Sequence, residues 1–154
     1  MVEFSLLGGL VVGTGVGVLA TLAMDRVMPR LPEGATPPRV AASVLTGTTV
    51  DDAPRRLATW VHYVAGVGSG VLFLAVAAAA GASTASTPVT LALASVVMVG
   101  LMIGFFAIVP LPRASGLPRQ RLVRVRRDWS ICAVIYVVVA AVLVGVADAT
   151  LPPI

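Results

Sequence analysis

The sequence predicts an all-α integral membrane protein, namely a four-helix antiparallel transmembrane bundle that forms a single domain over residues 1–154. Of the 154 residues, 58% are hydrophobic and only 12% are charged. A soluble domain of this length needs more polar side chains to cover its surface, so the composition argues against an ordinary soluble class. The charged residues also leave three long uncharged stretches, at 4–24, 57–112 and 129–147. Because a helix crosses the bilayer core in about 20 residues, these stretches are expected to hold the spans.

The middle stretch is long enough for two spans, whereas the first and last stretches each hold one. Gly81 suits the end of a helix, and Thr87 followed by Pro88 suits an N-cap and a first helical residue. These residues predict a tight turn between the second and third spans. The four predicted spans cover residues 4–25, 57–80, 88–110 and 129–148.

The segment 26–56 is the only sizeable loop in this scheme. Thr36 and the prolines after it can begin a short helix, which Gly47 would end. That helix is expected either to lie at the membrane interface or to belong to a loop packed under the bundle. Asp51 or Asp52 is expected to N-cap the second span, in preference to forming a metal-binding carboxylate pair.

The orientation follows from the arginines, which supply all 11 basic residues of the chain. They lie in two segments, 26–56 and 111–128, which a four-span topology puts on one side of the membrane. The positive-inside rule therefore predicts that both segments are cytoplasmic and that both termini are outside, in the cytoplasmic (plasma) membrane.

The second of these segments is expected to contact anionic lipid head groups, because juxtamembrane arginines attract them. No aromatic side chains are interleaved with these arginines, so nucleic acid is not a predicted partner. The predicted lipid-contacting residues are Arg119, Arg121, Arg124, Arg126 and Arg127.

Glycines recur at a spacing of four along three of the predicted spans. Residues four apart line one side of a helix, so each row forms a shallow groove for a neighbouring backbone. The sequence leaves open whether each groove is filled within one chain or by a second copy. The predicted helix-packing residues are Gly9, Gly13, Gly17, Gly66, Gly70, Gly100 and Gly104.

Three ionisable side chains are predicted at the cytoplasmic end of the bundle: Asp25, His62 and Asp128. Placing an ionisable side chain within or next to the bilayer core costs free energy, so such residues suggest a function by default. One interpretation is a structural network in which His62 bonds to a carboxylate or a carbonyl; the alternatives are a site that handles a proton or a ligand, and a metal or haem site. The sequence leaves open which carboxylate His62 contacts.

Catalysis is not predicted. Ser69 lies seven residues after His62 on one helix, about 10 Å along its axis, which is too far for a nucleophile and its base. One histidine and the single cysteine, Cys132, cannot complete a tetrahedral zinc site. No metal, cofactor or catalytic residue is therefore expected.

A family resemblance rests on two helices. The first ends in Ala20-Thr21-Leu22-Ala23-Met24-Asp25, and the second contains His62-Tyr63-x-x-Gly66-x-x-x-Gly70. This combination, over roughly residues 8–70, resembles a loose group of small four-helix prokaryotic membrane proteins that are themselves uncharacterised. Some of that group repeat a histidine in the last span, where this chain has Arg127-Asp128-Trp129. The resemblance implies a fold and no activity.

The functional expectation is a polytopic membrane protein without enzymatic activity. It would act through helix packing, as a homo-oligomer or as an accessory subunit of another membrane protein. The alternative is a small transporter or channel for an ion or small molecule, working as a dimer. Against proton-coupled transport, the span centres contain only small polar residues such as Thr14, Ser69 and Ser95.

Overall fold

The computed structural model of the chain describes residues 6–84 and 86–150. Over these residues it is helical, without strands, and a single isolated bridge joins Thr49 to Ser115. Four of the helices, all but the short α2, are long and apolar enough to cross a membrane, as predicted. The helices are α1 (Leu6–Val27), α2 (Thr36–Thr46), α3 (Arg55–Gly81), α4 (Thr87–Ile108) and α5 (Arg119–Thr150).

The four long helices close into a bundle in which each has two main neighbours. Helix α1 packs against α3 and α5, and α4 packs against the same two helices from the other side. The shared core holds three large buried side chains, Phe73 from α3, Met98 from α4 and Tyr136 from α5. Burial of such side chains excludes lipid from the centre of the bundle and fixes the helix faces.

The contact between α1 and α3 depends on glycines from both helices. A Cβ atom built on Gly13 would lie 2.8 Å from Val71 Cα, and one on Gly17 would lie 2.8 Å from Val67 Cα. On α3, a Cβ on Gly70 would meet the backbone of Gly17 at 2.5 Å or less. The two backbones therefore approach too closely for any side chain at these positions, as in other small-residue helix contacts.

The predicted short helix in the segment 26–56 is present as α2. It ends at Thr46, where Gly47 takes a left-handed conformation with φ of 69°. Val40 is fully buried in an apolar cluster with Phe106 and Val125, so α2 packs against the bundle.

One sequence prediction about a helix end is wrong. Neither Asp51 nor Asp52 caps α3, because Pro54 occupies the N-cap position and has no capping side chain. Instead, Asp51 pairs with Arg121, and Asp52 accepts a hydrogen bond from the Thr49 hydroxyl at 2.7 Å. The cap was predicted from local sequence alone, whereas Asp51 pairs instead with Arg121, which is distant in sequence.

The segment 111–128 is also not simply a loop, because α5 already begins at Arg119. The arginines from 119 to 127 therefore form the first turns of the same helix that includes the predicted span 129–148. Their charge marks the edge of the apolar stretch, and the backbone hydrogen bonds of the helix continue past it.

Candidate functional site

Asp25 and His62 meet across the bundle. Asp25 lies in the last turn of α1, and His62 lies two turns into α3; Asp25 Oδ1 and His62 Nε2 are 2.7 Å apart. The neighbouring Tyr63 hydroxyl donates to Asp25 Oδ2, also at 2.7 Å. The side chains of His62 and Asp25 are 9% and 28% exposed. Of the two carboxylates predicted as possible partners of His62, the structure selects Asp25.

The pattern of these hydrogen bonds indicates which nitrogen of the His62 imidazole carries a proton. Asp25 accepts at both oxygens, as a carboxylate does, so Nε2 of His62 carries the proton in the pair. A neutral imidazole bonded in this way keeps an acceptor lone pair on Nδ1. In its neutral form, the His62 ring therefore presents Nδ1 as a hydrogen-bond acceptor on α3.

Asp128 belongs to a separate network. Its side chain is 0% exposed, and Oδ2 accepts the backbone N–H of Glu33 at 2.8 Å. Oδ1 accepts from Arg127 Nε and Nη2 at 2.9 and 2.8 Å. Asp128 therefore ties the segment between α1 and α2 to α5, while Asp25 joins α1 to α3. The three predicted site residues do not form one cluster.

Glu33 extends this second network and was not predicted from the sequence. Its carboxylate accepts the Thr36 hydroxyl at 2.5 Å and Arg121 Nε at 2.8 Å. Arg121 Nη1 also bonds to both oxygens of Asp51 at 2.9 Å. The sequence signal that could have identified Glu33 is its negative charge in segment 26–56, because segment 111–128 contains arginines that could pair with it. Its partner lies 88 residues away, so local sequence does not identify it.

These pairs divide the five arginines predicted to contact lipid. Arg121 and Arg127 form ion pairs with Glu33 or Asp128 within the chain. The other three, Arg119, Arg124 and Arg126, are exposed on the surface of α5.

A groove of about 460 Å³ opens on the outside of the bundle between α3 and α4. Its walls are almost entirely apolar, and Leu72, Leu101 and Phe105 at its edges are exposed. His62 and Ser69 are polar residues of the lining on α3. The groove therefore has the volume and the composition of a small-molecule site.

Two further polar residues of the lining come from α5, and both are satisfied within the protein. The Tyr136 hydroxyl donates to the Gly66 carbonyl at 2.6 Å. Trp129 Nε1 donates to the Met102 carbonyl at 3.1 Å. These bonds hold the two rings in place and leave their apolar surfaces toward the groove.

The predicted packing glycines divide into two groups. Gly13, Gly17, Gly66 and Gly70 line the contact between α1 and α3 within the chain, and Gly9 is partly buried. A Cβ on Gly100 or Gly104 of α4 would meet no atom within 4 Å. Among the residues that the structure describes, these two glycines of α4 therefore line no helix contact.

The described part of the chain contains no group of three His, Cys, Asp or Glu residues that could hold a metal ion.

Comparison with known proteins finds no match to this chain among family models, curated proteins or solved structures.

Proposed function

We propose that this chain is a non-enzymatic, multi-pass protein of the cytoplasmic membrane whose groove between α3 and α4 binds a small molecule drawn from the bilayer. The observation that carries the proposal is the groove itself, with the Asp25–His62 pair at its wall and an opening on the lipid-facing side of two apolar helices. This function corresponds to the transporter alternative of the sequence analysis more closely than to action through glycine packing alone.

An antiparallel arrangement of the four spans is part of the proposal. It is supported by contacts between the end of one helix and the start of another. Asp25 near the end of α1 contacts His62 near the start of α3, and the Thr87 hydroxyl at the start of α4 donates to Asp148 near the end of α5 at 3.0 Å. In such an arrangement successive spans cross the membrane in opposite directions.

The proposed orientation puts segments 26–56 and 111–128 in the cytoplasm and both termini outside. Direct contacts between the two segments support their lying on one side: Val50 donates its backbone N–H to the Ser115 carbonyl at 3.2 Å, and Arg121 pairs with Asp51. The excess of arginine then assigns that side to the cytoplasm. The exposed Arg119, Arg124 and Arg126 would contact anionic lipid there.

Binding is favoured over catalysis by the state of the polar groups. The oxygens of Asp25 and Nε2 of His62 already bond to each other or to Tyr63. The two nearer hydroxyls on α3 are already used, since Tyr63 donates to Asp25 and Thr59 donates to the Arg55 carbonyl. The next hydroxyl, that of Ser69, is seven residues from His62 and beyond the reach of a base. The pair can orient and recognise a ligand without a nucleophile.

Native mass spectrometry of protein purified in a mild detergent tests the proposal. Ala65 lines the groove, whereas Ala75 is exposed on the same helix outside it. We expect a small molecule to co-purify with the wild type and Ala75→Leu and to be lost from Ala65→Leu, whose larger side chain enters the groove. Equal retention by Ala65→Leu would contradict binding in the groove.

A second candidate function is assembly with another copy or with another membrane subunit. It is favoured by Gly100 and Gly104, because a Cβ atom at either position would meet no atom of the described residues within 4 Å. Gly15 on α1 is likewise without a neighbour within 4 Å but is not part of a predicted packing row, so it serves as a control. If α4 mediates assembly, Gly100→Ile lowers the oligomer mass in detergent and Gly15→Ile does not. A monomer mass for the wild type would rule this candidate out.

A further inference from the structure

The groove contains two polar atoms on α3 that are not used within the described part of the chain. His62 is 9% exposed and bonds only through Nε2, which leaves Nδ1 without a partner. The Ser69 hydroxyl, also in the lining, makes no hydrogen bond among the described residues. By contrast, Ser95 on α4 bonds back to the Leu91 carbonyl at 2.7 Å, which is the usual arrangement in a helix. A polar atom without a partner in apolar surroundings is costly unless a ligand supplies one.

The two side chains lie on the same face of α3. Residues seven apart are separated by about two turns, or about 10 Å along the axis. Between them the groove is lined by Ala65 and Gly68, whose small size leaves room for a ligand. The groove thus has two polar points on one side, with an apolar surface between and beyond them.

The charges around these points restrict the head group. With Nε2 donating to Asp25, the neutral form of the imidazole presents Nδ1 as an acceptor, and the ligand group that matches this form is a donor such as a hydroxyl. The lining contains no arginine, and the Asp25 carboxylate lies next to His62. An anionic head group would therefore lie near the Asp25 carboxylate and would find no arginine to pair with.

Apolar contacts favour a single chain for the remainder of the ligand. Beyond Ser69 the groove continues along Leu72 and Leu101, which are exposed on the lipid-facing side. A hydrocarbon chain there would replace lipid contacts with similar ones, and the head group would determine specificity.

We infer that the groove binds a neutral, single-chain amphiphile of the bilayer that carries a hydroxyl group and a second oxygen, as a monoacylglycerol does. The hydroxyl donates to His62 Nδ1, and the Ser69 hydroxyl donates to the second oxygen. This inference rests on the proposed function and specifies the chemical class of its ligand.

Fluorescence of Trp129 provides a direct test, because the chain has two tryptophans and only Trp129 lines the groove. In a Trp60→Phe background in detergent micelles, the protein is titrated with three compounds that carry the same brominated chain. They are a monoacylglycerol, a fatty acid ionised at neutral pH, and an alkane. Bromine quenches tryptophan at short range, so saturable quenching reports occupancy of the groove.

We expect saturable quenching by the monoacylglycerol at a concentration at which the acid and the alkane do not saturate. His62→Phe and Ser69→Ala each weaken binding roughly 3- to 10-fold, the effect of one hydrogen bond. Ser95→Ala, which removes a hydroxyl outside the groove, leaves binding unchanged. Ser69→Ala loses a single oxygen and keeps the test decisive if His62→Phe does not fold.

Four results would overturn the inference, and they differ in whether they also contradict the proposed function. If the acid or the alkane saturates as well as the monoacylglycerol, or if Ser69→Ala binds like the wild type, the assigned class is wrong while binding in the groove stands. If none of the three quenches saturably, the proposed function fails too. If the protein is a dimer in detergent that Ala65→Leu dissociates, a second copy occupies the groove and both proposals fail.

Discussion

Asp25 is the residue that joins α1 to the start of α3, and its role can be measured by removing it. The side chain accepts from two neighbouring residues of α3, His62 and Tyr63, each at 2.7 Å. Replacing it with alanine leaves the largely buried His62 Nε2 without a partner. An unsatisfied buried donor costs about 1–3 kcal/mol, because its hydration is lost without compensation.

We therefore predict that Asp25→Ala lowers the free energy of unfolding in detergent by about 1–3 kcal/mol. The control is Asp52→Ala, since Asp52 is exposed and bonds only within its own turn. Its expected effect is within about 0.5 kcal/mol, as for other surface substitutions. Equal losses for the two variants would show that the contact between Asp25 and His62 does not stabilise the bundle.

Residue-scale chemistry was only partly predictable. Asp25 and His62 stand out in the sequence as ionisable groups beside apolar stretches, but His62 could have met Asp128 equally well. The choice depends on how closely α1 approaches α3, which is a property of the folded backbone. Glu33 was missed because it lies among proline and glycine in a loop, and its partners Asp128 and Arg121 are remote in sequence.

At the scale of elements, the glycines of α3 alternate between two roles. Gly70 is buried against α1, where a Cβ would meet the Gly17 backbone. A Cβ atom built on Gly68, two residues earlier, would meet no atom within 4 Å, and Gly68 lines the groove instead. The same residue type therefore supports helix contact at one position and open space at the next.

This difference predicts opposite outcomes for two alanine substitutions in α3. Gly70→Ala must separate two backbones and is expected to cost about 1–3 kcal/mol of unfolding free energy, the range for overpacking. Gly68→Ala is expected to be neutral or slightly stabilising, because alanine favours the helix. Denaturation of both variants in the same detergent measures the contrast. A Gly70→Ala protein as stable as Gly68→Ala would contradict the close approach of α1 and α3.

The segment between α1 and α2 is fixed by Asp128, which predicts a local rather than a global effect when that residue is changed. Asp128→Ala removes the acceptor of the Glu33 N–H and of the Arg127 guanidinium. Freed from α5, the segment should open more often, and trypsin should cleave after Arg30 faster than in the wild type. Arg126→Ala, at an exposed neighbouring position, should leave the cleavage rate there unchanged. Unaltered cleavage in Asp128→Ala would mean that other contacts hold the segment.

Across the whole molecule, the existence of four long apolar helices was predictable because charge is absent from a central stretch of about 20 residues in each of them. Their ends were less so. Helix α5 extends to Arg119 because backbone hydrogen bonds do not stop where apolar residues stop. The missing cap at Asp51 has the same origin, since its partner Arg121 is 70 residues away. Composition thus defines which segments are apolar, and long-range pairs determine where the helices begin and how the loops fold back.

Orientation is the property of the whole molecule that can be tested most directly, with single cysteines. In a Cys132→Ala background, Thr49→Cys lies in segment 26–56 and Ser83→Cys lies in the turn between α3 and α4; both positions are exposed. Because segment 26–56 carries arginines and the turn carries no charge, a membrane-impermeant maleimide should label Ser83→Cys in intact cells. It should label Thr49→Cys only after the cells are opened. The reverse labelling would invert the proposed orientation, and labelling of both in intact cells would contradict a bundle in which these two connections lie on opposite sides.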